Sequence, residues 1–568
     1  VKEWIEYILL YNPQSPIIFT GLYFWGFFAF VLAVFAVIYK RLVWRNAFLF
    51  FVSLFFYYKT SGLFFLLLVF SITCDYLLGF RIAKADTPVT KRLWLTLSIV
   101  LNLSLLVYFK YAYFFADSFN NLFGASYHPV NHFAALTNDF FGTTFKVDKI
   151  ILPIGISFYT FQTMSYAIDI FRNRIEPVKS FLDFGFYVSF FPQLVAGPIV
   201  RAADFIPQVY KEYQLTKHQF GIALFWILNG LIKKIFLADY IAINLVDRVF
   251  SNPASYTGFE NLLALYAYSL QVYADFSGYT DIAIGVAMLM GFHLNQNFNS
   301  PYKADSVADF WKRWHISLSS WLKDYLYISI GGNKRGSWFT YIALIAIAGF
   351  IVMATDNVLI RYATVNVLGV ILACCILFPA FRKEFSTNLN MMLTMLVGGL
   401  WHGASWNFVI WGGLNGAGLL FYKLWKRIVK KTGENLWWRK LIAIILTFHF
   451  ITFTRIWFRT GSKNTWGELN ETHNILTEFF AANDMLRQLF FKMNLSVAWD
   501  VIMGYKMVCL FLLGGFVIHW LPESVKEKYR NLFASSGMAV QLPVTLLVIV
   551  CVYQVLSMGM NPFIYFQF

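Results

Sequence analysis

Two histidines stand among residues that give them chemistry to do. His402 lies in Gly398-Gly-Leu-Trp-His-Gly-Ala-Ser-Trp406, with glycines on both sides. Glycine removes side-chain bulk and lets another chain or a substrate approach the imidazole closely. An imidazole can take a proton from an acceptor hydroxyl, and backbone N–H groups beside it can hold the oxyanion of a tetrahedral intermediate. Acyl transfer is therefore chemistry this stretch could do. Gly-rich apolar helices also occur at ordinary packing contacts, which leaves a structural reading open. His315 sits in the segment Ser306 to Tyr327, which starts with Ser306 and Asp309 at capping-box spacing. Trp311, Trp314, His315, Leu318, Trp321, Leu322 and Tyr325 recur at three-to-four spacing, with Asp309, Lys312, Arg313, Ser320, Lys323 and Asp324 opposite. The pattern predicts one amphipathic helix along a membrane interface or lining a funnel, with His315 pointing inward. A lone histidine on an apolar face is more often a hydrogen-bonded core residue than a reactive one.

Three further places put polar groups in apolar surroundings. Asp275 and Asp281 bracket Phe-Ser-Gly-Tyr-Thr inside an apolar run from Leu262 to Phe292. Gly278 is expected to break or kink that helix, and the carboxylates to cap half-helices or pair with Lys or Arg elsewhere. Between Ser189 and Arg201, the residues Pro192, Gly197 and Pro198 predict an irregular segment buried in protein. Arg455 and Arg459 close the apolar run from Leu441 to Phe458, where snorkelling is the expectation.

Positioning these groups falls to membrane helices. The chain is 58% hydrophobic and 20% aromatic, and its 13% of charged residues is about half of what a soluble domain carries. About 20 apolar residues cross a bilayer. Spans are expected near 17–38, 62–80, 93–113, 150–171, 219–237, 261–290, 338–355, 358–380, 404–424, 438–458, 506–521 and 540–558. Shorter apolar pieces near 47–57, 182–200 and 390–400 suggest half-helices or re-entrant segments. The run Ile17–Ile38 is too long for a signal-peptide core and is expected to be an uncleaved span. The fold class is all-α: a polytopic membrane protein of about 11–14 spans forming one integral domain over 1–568, with 460–505 as an external loop. The net charge of +16 falls in short clusters between apolar runs, as at Lys40–Arg41, Arg81–Arg92 and Lys423–Lys431. That is positive-inside loop chemistry and lipid contact rather than a nucleic-acid face, and it puts the loops at 40–46, 81–92 and 172–179 on the cytoplasmic side. The five cysteines show no CxxC spacing and predict neither a disulfide framework nor a metal site.

The motifs Phe190-Phe-Pro-Gln-Leu-Val-Ala-Gly-Pro-Ile-Val-Arg201, Asp275-Phe-Ser-Gly-Tyr-Thr-Asp281, Asp309-Phe-Trp-Lys-Arg-Trp-His-Ile-Ser-Leu-Ser-Ser-Trp-Leu-Lys-Asp-Tyr325, Gly331-Gly-Asn333 and Gly399-Leu-Trp-His-Gly403 closely resemble those of the membrane-bound O-acyltransferase family. They look most like its alginate O-acetyltransferase branch, which is related to the D-alanyl transfer protein of teichoic acid synthesis. The resemblance implies helices around a central tunnel, a thioester donor such as acetyl-CoA entering from the cytoplasm, and an acceptor hydroxyl entering from outside. It implies His402 as the principal catalytic residue and His315 as a second functional histidine. Their motif neighbours Trp401, Gly403, Arg313, Trp314, Ser317 and Asp324 would be substrate-binding. It further implies the inner membrane, the lipid bilayer as solvent, and an acceptor on an envelope polysaccharide or on an SGNH-type periplasmic partner, with no permanently bound cofactor or metal. One departure is the connection between the two histidine motifs: residues 338–380 add two apolar runs, expected to form an inserted hairpin. A lipid-linked sugar flippase and a non-catalytic envelope scaffold are the rival readings, and neither accounts for both histidine motifs.

Overall fold

The computed structural model describes residues 9–12, 16–141, 146–195, 197–429, 436–461 and 475–556, and helix is the only regular structure among them. Five helices are long and apolar enough to cross a membrane: Leu42–Ala83, Pro88–Phe123, Lys217–Ser251, Val358–Leu377 and Trp437–Gly461. Two sharply bent pairs and the shorter apolar helices Leu22–Ile38 and Trp338–Ala354 are further candidates. The apolar piece near 47–57 belongs to a full helix, Leu42–Ser61. At 42 residues Leu42–Ala83 is too long for one straight crossing. It turns at Gly62, whose φ of +64° a side chain would resist. Phe181 meets Phe50 before the turn and Tyr76 after it, so the two arms run antiparallel.

The centre of the fold is a tight pair, Lys217–Ile232 and Gly258–Leu289. Each starts with a capping box, on Thr216 and Thr257. Gly278 does not break its helix, which runs unbroken for 32 residues. The glycine serves close approach instead, since a Cβ there would fall 2.8 Å from the Gly230 carbonyl oxygen of the partner helix. Beyond Ile232 the chain widens into a π-helical segment, Lys233–Asp239. Lys233 there meets Asp281 at 2.7 Å, and Lys234 meets both Asp275 and Asp239 at 2.7 Å. The two motif carboxylates are thus ion-paired inside the bundle, where removing one partner of such a pair costs about 3–5 kcal/mol.

The His402 motif ends a 24-residue helix, Pro379–His402, which absorbs the apolar piece at 390–400. It packs on Trp406–Ile428, the helix capped by the Ser405 side chain. The seam is glycine: a Cβ on Gly399 would fall 3.0 Å from the Gly412 Cα. Residues 338–377 form the two helices Trp338–Ala354 and Val358–Leu377. Only 6% of the apolar window of the second is buried, which suits a lipid-facing position. Of 460–505, residues 462–474 lie outside the described residues, and Ile475–Phe491 and Ala498–Gly504 are helical.

Candidate active site

The segment Ser306–Tyr327 is not one helix. Ser306 caps Val307–Arg313 as its spacing predicts, but the chain breaks at Trp314–His315 and restarts as Ile316–Trp321. His315 sits at the break with φ +43°, one of three non-glycine residues with positive φ among the described residues. A left-handed, β-substituted residue costs of order 1–3 kcal/mol and persists only where its surroundings hold it. Asn297 supplies that hold. Its Oδ1 lies 3.3 Å from His315 Nδ1 and accepts from the Ser317 backbone N–H at 3.0 Å and the Ser317 hydroxyl at 2.8 Å. Because the partner atom is an acceptor, Nδ1 carries the ring proton and Nε2 is the basic nitrogen. The Ser317 Oγ also accepts from Ile199 N–H at 3.0 Å, which ties the irregular 197–201 segment to the break.

His402 is the last residue of its helix, where backbone carbonyls lack intrahelical donors. Lys110 and Tyr111 supply donors. The ammonium of Lys110 reaches the Trp401 carbonyl at 2.7 Å, the His402 carbonyl at 3.4 Å and the Ser157 hydroxyl at 3.3 Å, and the Tyr111 hydroxyl reaches the Leu400 carbonyl at 2.8 Å. A cation at a helix C-terminus is also favoured by the helix dipole. Lys110 gets there on a π-helical turn, Val107–Tyr111. Its sequence signal is a single lysine in a long apolar run, which sequence reasoning passed over. The imidazole of His402 stands in an aromatic box, with ring centroids 5.1 Å from Trp411, 5.2 Å from Phe458 and 6.4 Å from His315. Both histidines are buried, at 2% and 0% exposure, so water is excluded from both.

Arg455 does not snorkel. It is 1% exposed and lies over Trp314, its guanidinium carbon 4.2 Å from the ring centroid and 5.5 Å from that of Phe458. Among the described residues no carboxylate pairs with it, and the Tyr302 phenol is the polar group beside its nitrogens. Phe458 is thus shared: His402 is on it at 5.2 Å and the Arg455 cation at 5.5 Å. Arg459 does not snorkel either, but meets Asp247 at 2.9 Å. An arginine closing an apolar run reads the same in sequence whether it turns out to water or in to the core, so its direction had to come from packing.

Comparison with known proteins names the fold that carries this site. Residues 89–351 match MBOAT, the membrane-bound O-acyltransferase family. Over 519 residues the chain is 32% identical to the probable alginate O-acetylase AlgI of Azotobacter vinelandii, covering 87% of this chain and 89% of the relative. This chain belongs to the membrane-bound O-acyltransferase family. It is 32% identical to the peptidoglycan O-acetyltransferase of Helicobacter pylori over 480 residues, 80% of this chain and 77% of that one. The teichoic acid D-alanyltransferase of Bacillus subtilis is 28% identical over 315 residues, 54% of this chain and 68% of the relative. The chain is a multi-pass membrane enzyme, an acyltransferase acting on hydroxyls.

The O-acyltransferase motifs do different jobs around the histidines. Trp401 is buried 5.7 Å from the His315 ring and edge-on to Phe158 at 5.4 Å. A side chain on Gly403 would drive into the Phe408 ring. Trp314 carries Arg455, and Ser317 locks the His315 turn. Arg313 and Asp324 are held in ion pairs of their own, at 2.7 Å to Asp309 and 2.7 Å to Arg201. Those two fix the two ends of the broken motif segment. Among the described residues no cluster of three His, Cys, Asp or Glu side chains is placed to hold a metal ion.

Proposed function

We propose that this O-acyltransferase works in the inner membrane and moves an acyl group, acetyl, from a cytoplasmic thioester to an external hydroxyl. The acceptor is an envelope polysaccharide or an SGNH-type periplasmic partner that passes the group on. The observation that carries this reading is the pair of buried histidines 6.4 Å apart, each anchored on a different element inside one aromatic box. The acetyl group and the glycan acceptor are supported by the names of the relatives, an alginate O-acetylase and a peptidoglycan O-acetyltransferase.

In the proposed cycle His402 takes the proton of the acceptor hydroxyl as its oxygen attacks the thioester carbonyl. The carbonyl electrons move to oxygen, and the resulting oxyanion forms near the Arg455 cation, in a water-excluded site where such a charge acts strongly. Collapse restores the carbonyl and expels the thiolate, which takes the proton back from His402. His315, oriented by Asn297, presents Nε2 beside the reacting groups as a positioning and polarising partner. Trp401, Trp314 and Gly403 shape the wall that the acyl group lies against. The steps balance without nucleotide hydrolysis, because a thioester is exchanged for an ester.

The test is acyl content of the cell-surface polymer by base-labile release, in cells lacking this protein and complemented with wild type or His402→Ala at matched expression. Release restored by wild type alone supports the reading. Equal restoration by both would remove His402 from the chemistry and leave transport or scaffolding as the better account.

A further inference from the structure

Asn297 has a second side. Besides holding His315 it lines a cleft between Lys217–Lys233, Gly258–Leu289 and the two C-terminal helices Lys506–Trp520 and Glu523–Ser535. The rim carries two cations that lack carboxylate partners within 4 Å among the described residues, Lys526 and Arg530. The ammonium of Lys526 donates to the Ser300 hydroxyl at 2.6 Å and the His519 carbonyl at 3.1 Å, and Arg530 lies 5.3 Å over the Trp226 ring. Ser300 is buried with φ +43°, a strained backbone that keeps its hydroxyl on Lys526. The third lining cation, Lys233, is already taken by Asp281.

Two buried N–H groups of lining residues have no acceptor among the described residues. His519 is 2% exposed, and its Nε2 accepts the Tyr302 backbone N–H at 3.1 Å. That bond places the ring proton on Nδ1, which has no acceptor among the described residues. The Asn297 amide nitrogen, 1% exposed as a residue, is in the same position. Buried donors left unmatched cost about 1–3 kcal/mol each, so a group bearing several acceptors gains by filling the cleft. Leu237, Leu270 and Ile518 add an apolar strip to a lining that also holds Asn229, Ser277, Thr280 and Gln296, a mixture that suits a chain bearing both methylenes and polar groups.

We propose that this cleft binds a phosphate ester, with Lys526 and Arg530 on the phosphate and the His519 and Asn297 N–H groups on the oxygens of the chain it carries. Two molecules present that chemistry here: a phospholipid of the surrounding leaflet, and the phosphopantetheine arm of a thioester donor. The second rests on the transfer reading above and would run the arm past Asn297 toward His315. The helix Glu523–Ser535 carries Glu523, Lys526, Glu527, Lys528 and Arg530, a charge density that suits the membrane interface. Burial, then the neighbouring Lys303, pushes the Lys526 ammonium down to about 8. Lys303, Lys233, Glu523, His519 and Ser300 are the groups that face it.

The experiment uses the full chain in phosphatidylcholine nanodiscs, with coenzyme A and pantetheine as soluble probes, and native mass spectrometry of retained phosphatidylglycerol as the lipid arm. Wild type, Lys526→Gln/Arg530→Gln, Lys526→Arg and His402→Ala are compared. Coenzyme A weakened about tenfold or more in the double variant, with pantetheine unaffected, identifies the donor phosphate. Loss of phosphatidylglycerol alone identifies the lipid. Affinity for the assigned phosphate should fall as pH rises past about 8 in wild type and stay level in Lys526→Arg. Equal binding of both phosphate probes by wild type and double variant overturns the site. His402→Ala should bind as wild type does, so loss of ester formation there with binding intact separates this site from the transfer reading. A wild type that binds phosphate yet forms no ester would sink transfer and leave the site standing.

Discussion

Arg455 and His402 press opposite demands on one aromatic ring. The imidazole beside Phe458 must be neutral to act as a base, while the guanidinium on its other neighbour keeps a full charge out of water at a cost of several kcal/mol. Stacking on Trp314 returns about 2 kcal/mol of that when desolvated. In the proposed cycle the rest is recovered when the oxyanion forms nearby. Arg455→Met, which keeps the apolar contact, is expected to lower kcat by about 10²–10³ with KM little changed. A rise in KM at constant kcat, measured on purified enzyme, would assign Arg455 to ground-state binding instead. Asn297→Ala removes the acceptor that fixes the His315 ring and Ser317 together. It is expected to cost about 1–3 kcal/mol of transition-state stabilisation, read as a roughly ten- to hundredfold fall in kcat/KM. Unchanged kinetics would show that the His315 tautomer is immaterial.

At the level of elements, the site depends on helices brought unusually close. The His402 helix meets Trp406–Ile428 through Gly399 and Gly412, and a Cβ on Gly412 would fall 3.1 Å from the Gly399 Cα. Gly412→Val is therefore expected to destabilise by about 1–3 kcal/mol or more through overpacking, seen as a lower thermal midpoint in detergent together with lost transfer. A midpoint equal to wild type would show that the seam yields. The buried Lys234 answers Asp275 and Asp239 at once. Lys234→Met alone should cost about 3–5 kcal/mol, and adding Asp275→Asn and Asp239→Asn should restore much of the loss, since the penalty lies in unpaired charge. Failure of the triple variant to recover in the same melting assay would mean that the lysine acts through packing.

Across the whole molecule the question is how many times the chain crosses between its two histidines. Trp338–Ala354 and Val358–Leu377 stand as two helices before the His402 helix, and the second is almost wholly exposed to the surroundings. If both cross, Ser337 and Phe378 face the same side and His402 keeps its side relative to His315. Single cysteines placed at those two positions in a cysteine-free background should then label from the same face with an impermeant maleimide. Labelling from opposite faces would mean that only one of the pair crosses.

The membrane character, the helical class and the membership of the O-acyltransferase family were legible in the chain itself, because low charge, apolar runs of bilayer length and short motifs are local properties. The buried irregular segment before Arg201 was legible for the same reason, whereas the apolar piece near 47–57, which suggests a half-helix, lies in a full helix, Leu42–Ser61. What periodicity could not give was direction and meeting. His315 fits an unbroken helical stripe, yet it sits at a left-handed break, because Asn297, from the segment before the motif, holds the His315 ring and Ser317 together there. Gly278 resembles a kink and is a contact, because Gly230 of another helix needs the room. Lys110 and Arg455 look like strays in apolar runs, and only packing turns one onto the end of the His402 helix and the other onto Trp314. Each of these depends on contacts between residues apart in sequence, a hydrogen bond at Asn297 and Lys110, a close backbone approach at Gly278 and a ring stack at Arg455, and those contacts exist only once the helices are assembled.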